Sequence, residues 1–314
     1  MQSKVNIIQH YFAKLLKEPK YAWAATIPFS CFDAMSWIPL LILMVLILRQ
    51  GVKSTWNLMC ANFVVHGLAM YYKEPSMYSW ITASMDYIPG FLSAYILMYF
   101  RSWLWVAYSM VVFSGLAGLG IDLVFPDYAI SQIQQLISAA KSMSLPVPVT
   151  RLTQVLTGHQ DFSTHMLLGL QMLSAVFNAI VNLMMARSLQ AQMFNPTGFE
   201  QEMLSLRGSR GLLSMTLVGI FLIFVLNWLS PLYILPTLLF YFFGVGMSIG
   251  VSIIIKQRIF EKFKQNRSQV ATIGLSLASF VIPYVFVPTF VVMGALDSVM
   301  NFRFLLQNRV KTTI

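Results

Sequence analysis

Residues 212–229 have the sequence LLSMTLVGIFLIFVLNWL and residues 237–255 have the sequence TLLFYFFGVGMSIGVSIII, and neither stretch contains a charged residue. A bilayer core of about 30 Å needs about 20 apolar residues of α-helix to cross it. In hydrocarbon only helices and closed barrels satisfy every backbone donor and acceptor, and continuous apolar runs of this length indicate helices. The two stretches therefore predict membrane-spanning α-helices.

The composition extends this prediction to the whole chain. Hydrophobic residues make up 57% of the 314 residues and charged residues only 10%, against roughly 25% charged residues in an ordinary soluble domain. The expected fold is an all-α polytopic bundle of about eight spans, forming one integral membrane domain over residues 1–314. The apolar runs lie near residues 22–48, 54–72, 79–100, 102–125, 164–187, 212–229, 231–255 and 269–295.

The first and last apolar runs are interrupted by prolines, Pro28 and Pro39 in the first and Pro283 and Pro288 in the last. Proline removes a hydrogen bond from the helix ladder, so each run is either a kinked span or a short hairpin. Cytoplasmic loops carry an excess of Lys and Arg, and all basic clusters fall on one side only if both broken runs enter and return. This favours broken, hairpin-like ends, two cytoplasmic termini and a bacterial inner-membrane location.

The net charge of +10 reflects 21 Lys and Arg against 11 acidic residues. Such an excess can indicate nucleic-acid binding in a soluble protein. Here the basic residues lie beside the apolar runs, so contact with anionic lipid head groups is expected, and nucleic acid is not. Residues 1–20 are predicted to form a basic amphipathic helix on that leaflet. Its apolar positions are Ile8, Tyr11, Phe12, Leu15 and Leu16.

One long stretch, residues 126–163, lies between two apolar runs and is predicted to be extracytoplasmic. It carries two apolar stripes with helical spacing, separated by the breaker LPVP at 145–148. Two short amphipathic helices would fit, either resting on the bundle or covering a cavity. The stripes consist of Ile130, Ile133, Ile137 and Ala140, and of Val149, Leu152 and Leu156.

Ionisable groups in a bilayer are costly and suggest function when a partner can be found. The candidates are Asp33, Asp86, Asp122 and Asp297. Asp86 is the most informative because it precedes Pro89-Gly90, where a kink would free backbone carbonyls, as in the discontinuous helices of transport sites. The alternative is a carboxylate near the outer interface that only caps or pairs.

Polar side chains add a candidate cavity. Asn62 and His66 are four residues apart, as are Asn178 and Asn182. Each pair therefore shares a helix face, which either lines a cavity or joins helices by hydrogen bonds. Together with Asp86 these four residues form the candidate ligand-binding set.

No catalytic residue, cofactor or metal site is expected. His159, Asp161 and His165 include suitable zinc ligands, but their spacing matches no strong motif. Hydrolase, metalloprotease, nucleotide-loop and CxxC motifs do not occur in the sequence. A non-enzymatic protein is therefore expected.

Two further segments carry a resemblance, ARSLQAQMFNPTGFEQEMLSLR at residues 186–207 and MGALDSVMNFR at residues 293–303. Together they resemble the YybS-like (DUF2232) family of uncharacterised polytopic membrane proteins, in its proteobacterial branch. Met203 stands where that family usually has Phe. The matching residues are Ala186, Arg187, Gln190, Asn195, Pro196, Gly198, Phe199, Glu202, Leu206, Arg207, Gly294, Asp297 and Arg303.

The resemblance implies a fold and a membrane location but no established activity. The family is grouped loosely with substrate-binding subunits of energy-coupling-factor transporters, which is an analogy of fold. The leading expectation is thus a protein that binds or moves a small molecule. The alternative is a scaffold or assembly factor, and a lipid-modifying enzyme would need a His–acid pair or several carboxylates to converge.

The segment 188–211 is expected to be a cytoplasmic interfacial element. Asn195-Pro196 should form a turn, and a short helix should follow it within residues 195–207. Its polar face would dock a protein partner in the scaffold alternative. Asp297 and Arg303 are six residues apart, so each is expected to bond elsewhere than to the other.

Overall fold

The computed structural model describes residues 18–142, 158, 160–194, 198–260 and 282–300. All regular structure in these ranges is helical, with no strand, as the sequence predicts. The predicted helix at 1–20 lies outside the described residues up to position 17. Backbone contacts divide the chain into two compact units, residues 1–199 and 200–314, and a single domain stays a prediction.

The first unit contains seven of the described helices. They are α1 (Pro19–Ser30), α2 (Trp37–Gln50), α3 (Val52–Lys73), α4 (Tyr78–Phe100), α5 (Trp103–Val124), α6 (Pro126–Ser142) and α7 (Gln160–Phe194). Helix α2 is buried along nine consecutive residues from Pro39 to Ile47. Helix α4 packs against α2, α3, α5 and α7, while α1 packs against α2 and α3. A helix that is apolar on all sides, such as α2, is expected in the interior.

The first apolar run is broken, as expected, but the break follows Pro28 by several residues. Helix α1 ends at Ser30, a 3₁₀ turn covers Asp33–Met35, and α2 begins at Trp37. Pro39 lies in the first turn of α2, where a backbone N–H has no partner in the helix. The break therefore places Asp33 in a turn between two helices.

The discontinuity expected near Asp86 is absent, because α4 runs from Tyr78 to Phe100 through Pro89. A proline removes one hydrogen bond, and neighbouring helices can hold the rest of the ladder. Here Gly90 lets α2 approach closely, since a Cβ at Gly90 would meet the side chains of Leu40 and Met44. Helix α4 therefore has no break that would expose backbone carbonyls beside Asp86, and this argument for a ligand site at Asp86 is not supported.

Helix α7 extends well beyond the predicted span 164–187. Its 35 residues correspond to about 52 Å at 1.5 Å per residue, more than a bilayer core. The segment expected to begin at residue 188 is therefore helical as far as Phe194. In the loop 126–163, the first stripe lies in α6, while Val149, Leu152 and Leu156 lie outside the described residues.

The second unit contains α9 (Arg210–Phe224), a 3₁₀ turn (Ser230–Tyr233), α10 (Leu235–Phe260) and α11 (Pro283–Met300), and the short helix α8 (Gly198–Leu204) leads into it. Helices α10 and α11 cross at glycines. A Cβ at Gly246 would overlap the carbonyl of Phe290, and a Cβ at Gly294 would overlap the carbonyl of Phe242. Small residues let membrane helices approach this closely.

Within the described part of the chain, five helical segments are long and apolar enough to cross a membrane, which indicates a multi-pass membrane protein. They are Asp33–Gln50, Trp103–Val124, Asp161–Met193, Leu235–Ser252 and Pro283–Met300. Helix α9 is apolar but shorter, with 15 residues. Helices α3 and α4 match the predicted spans 54–72 and 79–100 in length, but they are not among the five. The count of eight spans stays a prediction.

The glycine contact between α10 and α11 gives a direct test. Gly246→Ala should lower the free energy of unfolding by about 1–3 kcal/mol, because the added methyl group overlaps a backbone carbonyl that cannot move freely. Gly244→Ala is the matched control, since a Cβ there has no neighbour within 4 Å. Thermal unfolding in detergent measures both. Equal midpoints for the two variants would contradict the close approach.

Candidate functional site

Two pairs of polar residues join α1 to α3. Thr26 and Ser30 are one turn apart on α1, Asn62 and His66 are one turn apart on α3, and all four are fully buried. Ser30 Oγ donates to Asn62 Oδ1 at 2.6 Å, and Asn62 Nδ2 donates to Thr26 Oγ1 at 3.1 Å. The matched spacing lets the two helices pair turn by turn.

The buried hydroxyls and amide of this network are satisfied. Asn62 Nδ2 also donates to the Leu58 carbonyl at 2.7 Å, and Thr26 Oγ1 donates to the Ala22 carbonyl at 2.9 Å. Ser30 Oγ also lies 3.1 Å from Tyr87 OH and 3.2 Å from the Thr26 carbonyl oxygen. Complete polar networks of this kind hold buried side chains rigidly.

His66 connects this network to Asp86. Its Nδ1 atom lies 3.0 Å from the Ser30 carbonyl oxygen, and its Nε2 atom lies 3.1 Å from Asp86 Oδ2. A carbonyl oxygen only accepts, so Nδ1 carries a hydrogen. The Nε2 lone pair and a carboxylate would repel each other, so the contact needs one proton, or another cation, between His66 and Asp86.

Asp33 completes a group of three. One ligand atom from each of Asp33, His66 and Asp86 lies within 4.8 Å of the other two. The His66 side chain is only 1% exposed, whereas Asp86 is 27% and Asp33 is 54% exposed. Lys73 Nζ lies 3.9 Å from Asp33 Oδ2. The acidic–histidine cluster (Asp33, His66 and Asp86) therefore has a buried, fixed base and two accessible carboxylates.

Helix α6 lies near the turn between α3 and α4. Gln135 Nε2 donates to Glu74 Oε1 at 2.7 Å, and the rings of Tyr78 and Tyr128 meet edge to face at 5.3 Å. Tyr128 is buried, and burial raises the pKa of its hydroxyl. His66 is seven residues from the end of α3, or about 10 Å, so α6 lies at the end of α3 and α4 nearer to the cluster.

The five predicted cavity residues fall into two groups. Asn62, His66 and Asp86 come together, whereas Asn182 Nδ2 donates to Asn178 Oδ1 at 2.8 Å within α7. No hydrogen bond between described residues joins Asn178 or Asn182 to the other three. Asn182 Oδ1 is buried and accepts no hydrogen bond in the described part. One cavity shared by all five stays a prediction.

Several residues of the family resemblance meet in the second unit. Asp297 is buried, and its Oδ2 accepts the Gly208 N–H at 3.1 Å, so its partner is backbone, as expected. Tyr241 OH donates to the Arg207 carbonyl, and Ser248 Oγ donates to the Met203 carbonyl at 2.7 Å. These bonds, with the close contact at Gly294, attach residues 203–208 to α10 and α11.

The other resemblance residues have local roles or lie outside the described ranges. Arg187 Nη1 donates to Gln190 Oε1 at 2.7 Å, and Gln190 Nε2 donates to the Leu48 carbonyl at 3.3 Å, which ties α7 to α2. The predicted short helix is present as α8, which contains Gly198, Phe199 and Glu202. Asn195, Pro196 and Arg303 lie outside the described residues.

The outer histidine group does not form a comparable cluster in the described residues. His165 Nδ1 lies 2.6 Å from the Asp161 carbonyl, and His165 Nε2 lies 3.7 Å from Asp122 Oδ2. His159 lies outside the described residues. Among the described residues, potential ligand atoms come within 4.8 Å of one another in a different group, Asp33, His66 and Asp86.

Four residues of the network and the cluster are not in the ligand-binding set that the sequence predicts. They are Thr26, Ser30, Asp33 and Tyr87. A signal was present for the α1 pair, because Thr26 and Ser30 repeat the four-residue spacing of Asn62 and His66 inside an apolar run. Tyr87 gave no such signal. Asp33 is a candidate as an ionisable residue in an apolar run. No sequence spacing predicts that it meets His66 and Asp86, which are 33 and 53 positions away.

Comparison of this chain with protein-family models, with curated proteins and with solved structures gave no match.

The α1–α3 network predicts a clear difference between two serine variants. Ser30→Ala leaves Asn62 Oδ1 and Tyr87 OH without a partner, so it should lower stability by about 1–3 kcal/mol. Ser54→Ala is the control, because the exposed Ser54 hydroxyl bonds only to carbonyls of its own turn. Thermal unfolding in detergent compares them, and an unchanged midpoint for Ser30→Ala would contradict the network.

Proposed function

We propose that this chain is a multi-pass protein that binds or moves a small molecule at the acidic–histidine cluster. The observation that carries this proposal is the convergence of Asp33, His66 and Asp86 in a helical unit that is otherwise largely apolar. Ionisable side chains are costly in such surroundings, and they usually mark a pathway or a binding site.

The arrangement of exposure supports binding. His66 is buried and held by the Ser30 carbonyl, while the carboxylates of Asp33 and Asp86 remain accessible. A buried, rigidly held imidazole beside two accessible carboxylates needs little reorganisation when a ligand binds. Helix α6, bonded to Glu74 by Gln135, would cover the cluster from the outer side.

The proposed location is the bacterial inner membrane, with about eight spans and both termini in the cytoplasm. Helices α3 and α4 have 22 and 23 residues, or about 33–35 Å, which is enough to cross a bilayer core. Membership of the YybS-like family belongs to the same proposal. Labelling of single cysteines in 126–163 from the outside tests the orientation, and labelling only from the cytoplasm would contradict it.

The same cluster also meets the requirement of the enzymatic alternative, since a His–Asp pair and a second carboxylate converge there. In that case His66 or Asp86 would transfer a proton to a lipid substrate. The scaffold alternative through residues 195–207 has less support. Hydrogen bonds from Ser248 and Tyr241 account for the backbone of residues 203–207 by packing within the second unit.

Native mass spectrometry of the protein purified in native lipid tests binding. A non-lipid adduct of constant mass is expected on the wild-type chain, and Asp86→Asn should reduce its occupancy several-fold, because one accessible carboxylate is lost. Asp122→Asn is the control, since Asp122 also contacts a histidine but belongs to no three-residue cluster among the residues that the structure describes. Equal occupancy in both variants would overturn the proposal, and chemically altered lipid would favour the enzyme.

A further inference from the structure

We propose that Asp33, His66 and Asp86 bind a divalent transition-metal ion, leaving open coordination positions for water or for the small molecule. This inference names the ligand chemistry of the site under the proposed function and rests on it. The three side chains come from three different elements, the α1–α2 turn, α3 and α4. A bound ion would therefore join these elements as well as serve as a site.

The spacing of the ligand atoms fits an ion after a small closure. The three atoms lie within 4.8 Å of one another. With metal–ligand bonds of about 2.0–2.2 Å, two ligand atoms can be at most about 4.4 Å apart. The difference is within reach of side-chain rotation, because the carboxylates of Asp33 and Asp86 are not enclosed.

The orientation of His66 is the second observation. Its Nδ1–H donates to the Ser30 carbonyl, so Nε2 is the nitrogen that faces Asp86, 3.1 Å away. Histidines that bind metals usually donate their other ring N–H to a carbonyl or a carboxylate, which fixes the tautomer. This bond lies outside the cluster, and the network of Ser30 with Asn62 and Tyr87 holds the carbonyl in place.

The charges of the cluster favour a cation. Potential ligand atoms of two carboxylates and one imidazole lie within 4.8 Å of one another, and Lys73 Nζ lies 3.9 Å from Asp33 Oδ2. A divalent ion would bind Asp33 in place of Lys73, and its charge would balance that of both carboxylates.

The donor set indicates the class of ion. One imidazole nitrogen and two carboxylate oxygens suit Mn²⁺, Fe²⁺, Co²⁺ or Zn²⁺. Ca²⁺ takes 6–8 oxygen ligands, and Mg²⁺ prefers oxygen ligands in a regular octahedron. The soft ion Cu⁺ prefers thiolate or thioether sulfur. Zn²⁺ and Co²⁺ are therefore the probes of choice, and Mg²⁺ is the negative control.

Titration of the full chain in lipid nanodiscs with Co²⁺ provides the test. The visible absorption of Co²⁺ should change up to one ion per chain, and Zn²⁺ but not Mg²⁺ should reverse the change. Asp86→Asn and Asp33→Asn should weaken binding by at least about tenfold. Asp122→Asn should bind as the wild type does.

Asp33→Asn keeps the test valid if Asp86→Asn misfolds, because Asp33 is exposed in a turn. The thermal midpoint of the Asp33→Asn variant without metal shows whether that variant is folded. A wild-type chain that does not alter the Co²⁺ spectrum would overturn the inference. Equal weakening by Asp33→Asn and Asp122→Asn would overturn it as well.

The failure of this inference can be separated from failure of the proposed function. If no metal binds but the Asp86-dependent adduct is present in native mass spectra, the metal site is wrong and small-molecule binding stands. If Co²⁺ binds at the cluster but no adduct is found, the ion site stands and small-molecule binding is wrong.

Discussion

The contact of His66 with the Ser30 carbonyl on one side and Asp86 on the other is the constraint on which the first unit's site depends. It connects α1, α3 and α4 through one buried ring. Because the carbonyl can only accept, Nδ1 carries a hydrogen, and the ring orientation places Nε2 beside Asp86. Asn62 and Tyr87 hold Ser30, so the site is built on a satisfied network and not on an isolated ion pair.

The second unit uses polar and small residues differently. Gly246 and Gly294 let α10 and α11 meet backbone to backbone, and Asp297 accepts the N–H of Gly208. An intramembrane carboxylate is therefore not always a sign of a ligand. Asp297 has a backbone donor and is buried, whereas Asp86 is partly exposed and Asp33 is exposed, and both lie beside a histidine. This difference explains why the proposals concern the first unit.

The sequence predicts the helices well because apolar length and proline position are local signals. It predicts the broken first run and the shared face of Asn62 and His66 for the same reason. It cannot predict that Asp33 meets His66, since the contact depends on how α1, α2 and α3 pack. It also overstates the effect of Pro89, because the neighbouring packing at Gly90 keeps α4 continuous. The four-residue spacing of Asn178 and Asn182 predicts only that they share a helix face, because sequence spacing does not specify which other helix that face contacts.

The tautomer of His66 is the most direct measure of this account. Solid-state ¹⁵N NMR of histidine-labelled protein in lipid, assigned with His66→Gln, distinguishes a protonated ring nitrogen from an unprotonated one. The account predicts that Nδ1 is protonated both with and without Zn²⁺, and that Nε2 binds the metal when Zn²⁺ is added. A ring with an unprotonated Nδ1 and a protonated Nε2 would contradict it, because the Ser30 carbonyl would then face a lone pair.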